Sequence, residues 1–301
     1  FCYTPHKLCV VAADEVRSYL QTRPEWRAEL SQGKMLGVLV VQRGGERGFL
    51  AAFSGTLDGA TRHDYFVPPV YDCMEPDGHF QTEQACISAL NRCIEEDERR
   101  ITVPQEHEQA RLALEQAKSE MQKARLHRNH LRTTLSAEEL AAVEPELIRE
   151  SQFLKAEFKR LQRMWQQRIS EAEEPNVELR KKIAQMEQER KRRSMALQEW
   201  LFKQYSFLNA QGERRNLLDI FSPSYPPGGA GDCCAPKLLQ AAYEASYTPL
   251  CMAEFWVGNS PADELRAEGN FYPSCRSKCL PILGHMLKGL SVEANPLAEV
   301  H

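Results

Sequence analysis

The pattern of apolar and polar residues changes twice along this chain of 301 residues. Residues 1–103 and 209–301 alternate between short helical and extended patterns. Residues 104–208 contain very little Gly or Pro, and their apolar residues recur at the spacing of a coiled coil. The pattern therefore predicts one mixed α+β or α/β domain, built from the two flanking parts and interrupted by a long antiparallel helical insertion.

Each flanking part is too short to build a convincing core alone. In the first part, apolar spacing predicts a helix over residues 8–20, a β-hairpin from the runs 34–42 and 48–54, and a helix over 82–98. In the second part, a glycine turn at 228–231 precedes a helix, an apolar strand over 249–256 and a final helix that ends in 281–287. We therefore expect the two parts to form one domain.

Within the insertion, heptad spacing predicts helices that pack along an apolar seam. The seam residues of the first helix recur at steps of three and four, at Ala110, Leu114, Ala117, Met121 and Ala124. Ser136 and Glu139 form a capping box, which predicts that a second helix starts there. Residues 173–176 break the pattern with a proline, so a third helix is expected after them. This pattern predicts a helical hairpin or a three-stranded antiparallel coiled coil.

Cysteines stand at two predicted helix starts in the C-terminal part. A glycine turn leads into a helix that begins with cysteines, and an apolar strand is followed by a second helix start with two cysteines. Zinc nucleobase deaminases place their ligands in this order, with the signature H-x-E or C-x-E followed by P-C-x-x-C. Alignment to that signature makes Cys234, Cys275 and Cys279 the candidate zinc ligands. The preceding β-hairpin fits the opening of a deaminase-like sheet.

Two departures from the signature argue against an active deaminase. Pro236 stands where the proton-carrying Glu should be, and the second cysteine pair is C-x3-C instead of C-x2-C. Residues at i and i+4 still share a helix face, so a metal can be held. Asp232 or Glu254 offers another carboxylate, but the sequence places neither beside a metal. Three interpretations remain: a degenerate domain with cysteines in its core, a zinc-binding domain, or a zinc enzyme.

Two basic clusters in the insertion are candidate contacts for a nucleic-acid backbone. Their members are Arg180, Lys181 and Lys182, then Arg190, Lys191, Arg192 and Arg193. Residues 104–205 carry 20 basic and 17 acidic residues, whereas the rest of the chain carries 18 basic and 25 acidic residues. Charges of opposite sign suggest separate surfaces with separate partners. The alternative is a solvated face of the coiled coil, with Arg190 and Arg193 on its seam.

Composition restricts the class of protein further. A net charge of −4 argues against a uniformly basic nucleic-acid binder, and 42% hydrophobic residues suffice for a core. No apolar run reaches the roughly 18 residues of a transmembrane helix, and the N-terminus lacks the pattern of a signal peptide. Ten scattered cysteines do not suggest a disulfide scaffold, so we expect a reducing, cytoplasmic compartment. Because the first residue is Phe1, we expect a fragment or a processed product.

Several stretches resemble the N-terminal region of large bacterial, Bacteroidetes-type RNA pseudouridine synthases of the RluA family. The resemblance spans essentially the whole chain and is carried by FCYTPH (1–6), ERGFLAAFSG (46–55), FVPPVYD (66–72), GAGDCCAPKLL (229–239), MAEFW (252–256), FYPSCRSKC (271–279) and NPL (295–297). In that family this region precedes a catalytic domain, whose H-R-L-D motif supplies the Asp that attacks the target uridine. This chain has no H-R-L-D, so the resemblance implies no catalytic residue here.

The resemblance implies a non-catalytic accessory domain of an RNA-modifying isomerase. Its expected partners are ribosomal or transfer RNA and the catalytic domain that would follow. Because such enzymes extrude a base from folded RNA, a helical arm with basic clusters is suited to contact distant backbone and fix the register. The alternatives are a zinc-binding, degenerate deaminase-like domain, and a coiled-coil module that forms a dimer or docks on a protein.

Overall fold

The computed structural model describes residues 3–261 and 265–293. Of the stretches that carry the resemblance, residues 1–2 and 295–297 lie outside this described part. The helices are α1 (Lys7–Gln21), α2 (Arg27–Ser31), α3 (His79–Arg100), α4 (Gln105–Thr134), α5 (Ala137–Gln204), α6 (Leu217–Phe221), α7 (Cys234–Glu244) and α8 (Cys279–Met286). The strands are β1 (Lys34–Arg43), β2 (Glu46–Phe53), β3 (Ser206–Leu208), β4 (Arg214–Asn216), β5 (Thr248–Val257) and β6 (Phe271–Tyr272).

The chain divides into two compact units. One consists of Phe1–Ala85 and Arg193–His301, and the other is Cys86–Arg192. The boundaries fall inside α3 and α5. They lie about five helical turns before the predicted limit at 104 and about four turns before the predicted limit at 208. No helix in the described residues combines the length and apolar character needed to cross a bilayer.

A four-stranded antiparallel sheet forms the centre of the first unit, in the order β2-β1-β5-β6. The predicted hairpin is confirmed as β1 and β2, which are joined at Gly44 and Gly45. Both glycines have positive φ, a conformation that other residues rarely adopt in a tight hairpin turn. Strand β5 comes from the far end of the sequence and pairs with β1. The two flanking parts of the chain therefore share one sheet, and the fold is α+β.

The sheet is covered by helices on both faces. Successive side chains of a strand point to opposite faces, and β1 is buried on both. Leu36 and Val38 pack in the cluster that contains α1. Leu39 and Val41 pack in the cluster that contains α7 and α8. A strand buried on both faces is nearly uniformly apolar, which explains the run MLGVLVV within β1.

Gly37 allows α7 to approach β1 closely. A Cβ at this position would lie 2.6 Å from Cys234 Cβ and 3.1 Å from Leu238 Cδ1. Both neighbours belong to the buried face of α7 and are fully enclosed. The separation between helix and sheet is therefore set by the absence of one methyl group.

The second unit is formed by helices that run antiparallel. His107 of α4 lies 2.9 Å from Glu173 of α5, and Arg132 of α4 lies 3.0 Å from Glu144 of α5. As residue numbers increase along α4, the numbers of their partners in α5 decrease, so the two helices run antiparallel. The predicted capping box is confirmed, since Glu139 accepts a hydrogen bond from the Ser136 N–H and Ser136 Oγ accepts one from the Glu139 N–H.

The predicted break at residues 173–176 is wrong, because α5 continues through it. Pro145 and Pro175 both lie inside this single helix of 68 residues. An internal proline typically costs a helix about 3 kcal/mol, and contacts with other helices offset such a cost. Next to Pro175, Asn176 Nδ2 donates a 2.7 Å hydrogen bond to the Thr102 carbonyl, which lies in the connection between α3 and α4. The sequence pattern shows the proline but does not show the contact between Asn176 and Thr102, which are far apart in sequence.

The variant Gly37→Ala should destabilise the first unit by about 1–3 kcal/mol, because the added methyl overpacks the contact with α7. Urea unfolding followed by circular dichroism measures this difference. The matched control is Gly48→Ala in the adjacent strand, where a Cβ would meet nothing within 4 Å. The control should remain within about 0.5 kcal/mol of the parent protein. Equal stability of the two variants would contradict the close packing of α7 on β1.

Candidate metal centre

Three cysteine side chains converge at the start of two helices. The Sγ atoms of Cys233, Cys275 and Cys279 all lie within 4.8 Å of one another. Cys233 is the N-cap of α7, Cys279 is the first residue of α8, and Cys275 lies in the loop that leads into α8. Within the described residues this is the one group of three or more His, Cys, Asp or Glu side chains placed to share a metal ion.

The glycine turn before α7 fixes the position of Cys233. Gly231 has φ +97°, and a Cβ there would lie 2.6 Å from the Tyr205 ring. Only glycine combines this left-handed conformation with so close a ring. The next residue, Asp232, accepts a 2.5 Å hydrogen bond from the Tyr205 hydroxyl. The turn is thus held against Tyr205, and Cys233 enters the helix from a defined direction.

The structure assigns the first position of the trio to Cys233, not to Cys234 as the sequence predicted. Cys234 is fully buried, and its Sγ lies 3.4 Å from the Met35 carbonyl and 3.6 Å from the Ala52 carbonyl. It therefore faces the sheet. Neighbouring residues on a helix point about 100° apart, so only one of two adjacent cysteines faces the loop before α8. Cys275 and Cys279 lie where the sequence predicted them to meet.

Glu254 brings a carboxylate to the same place from strand β5. It is 5% exposed, and its oxygens accept hydrogen bonds from the Ala235 N–H at 3.0 Å and the Ser274 hydroxyl at 2.7 Å. With Cys233 as the first ligand, Ala235 is the residue at which a C-x-E signature has its Glu. The helix lacks that side chain, and the strand delivers a carboxylate to the backbone of the same residue.

Burial controls the charge of Glu254. Removal from water raises the pKa of this carboxyl, and the hydrogen bonds from Ser274 and Ala235 act in the opposite direction. A charged residue inside an otherwise apolar strand was the sequence signal for this role. Its placement depends on the pairing of β5 with β1, which sequence spacing does not reveal.

The pKa values of the three thiols are shifted in different directions. Hydrogen bonds from Cys233 and Cys279 lower the pKa of Cys275 far below its ordinary value. The Cys279 backbone N–H also donates to Cys275 Sγ, at 3.4 Å. The contact with Cys275 raises the pKa of Cys233 to about 12, although the contact with Cys279 acts in the opposite direction. Contacts with Cys233 and Cys275 raise the pKa of Cys279. Of the three thiols, Cys275 is the one whose pKa is lowered.

Two charged groups beside the trio are held by other partners. Lys237 is 2% exposed and donates to the carbonyls of Phe53 at 3.1 Å and Gly55 at 3.4 Å. Burial lowers the pKa of this amine, while nearby Cys234, Asp232 and Cys233 act to keep it charged. The Asp232 carboxylate accepts from Tyr205 and is not part of the ligand group. Of the two carboxylates considered from the sequence, Glu254 is the one whose partners flank the trio.

The donor set suits a soft divalent metal. Thiolates select zinc, copper(I) or iron–sulfur centres over magnesium or calcium. Zinc–sulfur bonds of about 2.3 Å in a tetrahedron correspond to sulfur–sulfur separations of about 3.8 Å. The observed limit of 4.8 Å is within a small side-chain movement of that value. The trio can therefore supply three ligands to one zinc ion.

The structure gives the basic clusters other contacts. Arg190 Nη1 donates to Asn91 Oδ1 at 3.2 Å, and Arg193 pairs with Glu83 at 3.1 Å. Both therefore face α3, as their predicted seam positions suggested. Arg192 forms a 2.7 Å ion pair with Glu189 one turn earlier. These three guanidinium groups already have partners in the chain.

In the first basic cluster, Lys182 pairs with a buried carboxylate. Lys182 Nζ lies 2.7 Å from Asp97 Oδ2, and Asp97 is only 4% exposed. Lys182 is the largest cause of the lowered pKa of Asp97. Arg180, Lys181 and Lys191 are exposed, and no ion pair involving them is found within the described residues.

Comparisons of the chain with protein-family models, with curated proteins and with solved structures find no match.

The variant Lys182→Met should lower the thermal stability of the helical unit at about pH 7, because it leaves the buried Asp97 carboxylate without its main partner. Since Lys182 lowers the Asp97 pKa, that stabilisation is present above the unfolded pKa of about 3.9 and is lost as the pH falls through the folded pKa. The deficit of the variant should therefore shrink at strongly acidic pH. Thermal unfolding by circular dichroism across this pH range measures it.

The control for this prediction is Lys181→Met, which removes the same charge from an exposed position of the same turn. It should leave stability nearly unchanged at either pH. A deficit of Lys182→Met that persists with Asp97→Asn in the background would show that the ion pair is not its cause.

Proposed function

We propose that the chain is a non-catalytic accessory domain of an RNA pseudouridine synthase, which positions ribosomal or transfer RNA for a separate catalytic domain. The observation that carries the proposal is that the stretches resembling this family, although far apart in sequence, bond to one another. The Gly55 N–H donates to the Asp232 carbonyl at 3.2 Å. Glu254 joins the stretch at Ala235 to the stretch at Ser274. Signature residues that gather around one place support a shared, specific structure.

The frame on which these stretches lie is proposed to be deaminase-like. A hairpin, a helix that begins at a cysteine, a strand and a second cysteine-bearing helix follow in the order that such enzymes use. Pro236 and Ala235 provide no proton carrier on the helix, which agrees with a domain that handles RNA without altering it. The isomerisation of uridine belongs to the domain with the H-R-L-D motif, which this sequence does not contain.

RNA contact is proposed for the exposed basic residues of α5. Arg180 and Lys191 are separated by about three helical turns, so they project from the same side of the helix. Lys181 points about 100° away from Arg180 and widens the basic surface. None of the three is engaged in an ion pair within the described residues. Contacts of this kind go to phosphates and fix register without reading bases. The other four basic residues of the prediction have partners within the chain. Lys182, Arg190 and Arg193 contact residues of α3, and Arg192 pairs with Glu189 of α5.

A coiled-coil interaction module is the alternative. Apolar residues of the helical unit are buried within the single chain, among them Ala110, Leu147, Trp165 and Ile183. That burial favours pairing inside the chain over a coiled-coil dimer, because the seam is already covered. The nine described cysteines are all free thiols, which suits the reducing cytoplasm in which such RNA enzymes act.

Reversal of Arg180, Lys181 and Lys191 to Glu should weaken RNA binding and make it less dependent on salt. Each lost phosphate contact should reduce the slope of log K against log salt by about one. Fluorescence anisotropy with a transfer-RNA and a ribosomal-RNA hairpin at several salt concentrations measures both quantities. The matched control reverses three other exposed lysines of the helical unit, Lys118, Lys123 and Lys155.

The control should keep most of the affinity despite the same change in net charge. Salt-dependent binding that is equally weakened by both triple variants would reduce the contact to a general charge effect. Absence of salt-dependent RNA binding by the parent chain would contradict the proposal.

A further inference from the structure

We propose that Cys233, Cys275 and Cys279 bind one zinc ion through three thiolates, that the fourth coordination position is open to an exchangeable ligand, and that Glu254 holds the two ligand segments in place. This inference does not depend on RNA binding. The sequence signature selected Cys234, but this residue is not a member of the proposed centre.

The trio has the features of a metal site and not those of cysteines that only fill a core. Cys233 and Cys275 are partly exposed, so an ion has a route from solvent to the sulfurs. A disulfide would join two of the three thiols and leave the third without a partner, whereas one tetrahedral metal uses all three. Cys234 shows the contrast, because it is fully enclosed among the residues of β1 and α7.

The surroundings favour thiolates. Cys233 and Cys279 lie at the N-terminal ends of α7 and α8, where helix dipoles and unpaired N–H groups stabilise negative charge. The buried amine of Lys237 interacts electrostatically with Cys233. A divalent zinc ion binds cysteines as thiolates, so protons released from the thiols on binding pass to solvent.

The number of ligands points to an open coordination position. In the described residues, no fourth Cys, His, Asp or Glu atom shares the 4.8 Å group with the three sulfurs. Structural zinc sites are closed by four protein ligands, whereas sites that exchange ligands keep three and leave the fourth to water or another molecule. The trio therefore matches the sites with three protein ligands and one exchangeable ligand.

Glu254 is the positioning residue of this centre. It accepts from Ala235, two residues after Cys233, and from Ser274, the residue before Cys275. One carboxylate thus fixes the backbone or side chain of both segments that carry ligands. Groups that orient metal ligands in this way typically contribute about 10- to 100-fold in metal affinity.

The test uses the full chain, purified with reduced thiols. Zinc content is measured by inductively coupled plasma mass spectrometry, and affinity is measured by titration with Co²⁺ followed by sulfur-to-metal charge-transfer absorption. One metal per chain is expected. Cys233→Ser, Cys275→Ser and Cys279→Ser should each lose most of this binding, whereas Cys234→Ser should keep it. Glu254→Gln should bind about 10- to 100-fold more weakly, with the same absorption bands.

The open position is tested on the Co²⁺-loaded parent protein, which avoids any dependence on how the variants fold. Added imidazole should shift the visible d–d bands of the cobalt, because it enters the fourth position. An unchanged spectrum would mean a closed site, and failure to bind metal would remove the centre altogether. Circular dichroism of each variant separates loss of ligand from loss of fold. Loss of metal by Cys234→Ser in a folded protein would overturn the assignment of Cys233.

None of these outcomes decides the RNA proposal. Retained RNA binding after removal of metal by a chelator leaves both proposals standing, because the exposed basic residues and the thiols are separate groups.

Discussion

The antiparallel pairing of β1 with β5 is the interaction on which the rest of the first unit depends. It joins residues from the two ends of the sequence, with Leu36 opposite Phe255 and Gly37 opposite Glu254. Side chains alternate between faces, so Ala253 and Phe255 enter the cluster with α1 while Glu254 faces α7. A slip of one residue would turn Glu254 into the apolar cluster and remove it from the cysteines. The centre is therefore specified by strand register as much as by its own residues.

The long insertion does not weaken this pairing because its two ends return together. In the first unit, His79 at the start of α3 lies with its ring centroid 4.4 Å from that of Trp200 near the end of α5. Arg193 and Glu83 form an ion pair one to two turns further along. These contacts hold the start of α3 beside the end of α5. The entropic cost of closing so long a connection is then offset by helix pairing as well as by the pairing of the strands.

Much of the fold follows from patterns that the sequence makes visible. The hairpin of β1 and β2, the helix starts at Cys234 and Cys279, and the capping box at Ser136 all depend on local spacing, and the structure has each of them. The continuity of α5 through Pro175 was missed because a proline indicates a local cost in a helix and gives no information on contacts with distant residues such as Thr102.

The candidate centre was only partly predictable. The spacing of Cys275 and Cys279 places both at one helix start, but Cys233 and Cys234 are adjacent, and the choice between them depends on which way α7 is rotated against the sheet. Glu254 lies 20 residues from Ser274 and 19 from Ala235 in sequence, and nothing local connects them. Long-range register and helix rotation are the two quantities that a single sequence does not display.

Antiparallel pairing in the helical unit has a consequence for how such a chain can vary. Positions on α4 and α5 pair in order, from Arg132 with Glu144 near the turn to His107 with Glu173 further along. Loss or gain of equal numbers of whole turns from both helices preserves every remaining pair and leaves the residues before Ala85 and after Arg193 untouched. The helical unit can thus become longer or shorter while the residues of the sheet and the three cysteines are unchanged.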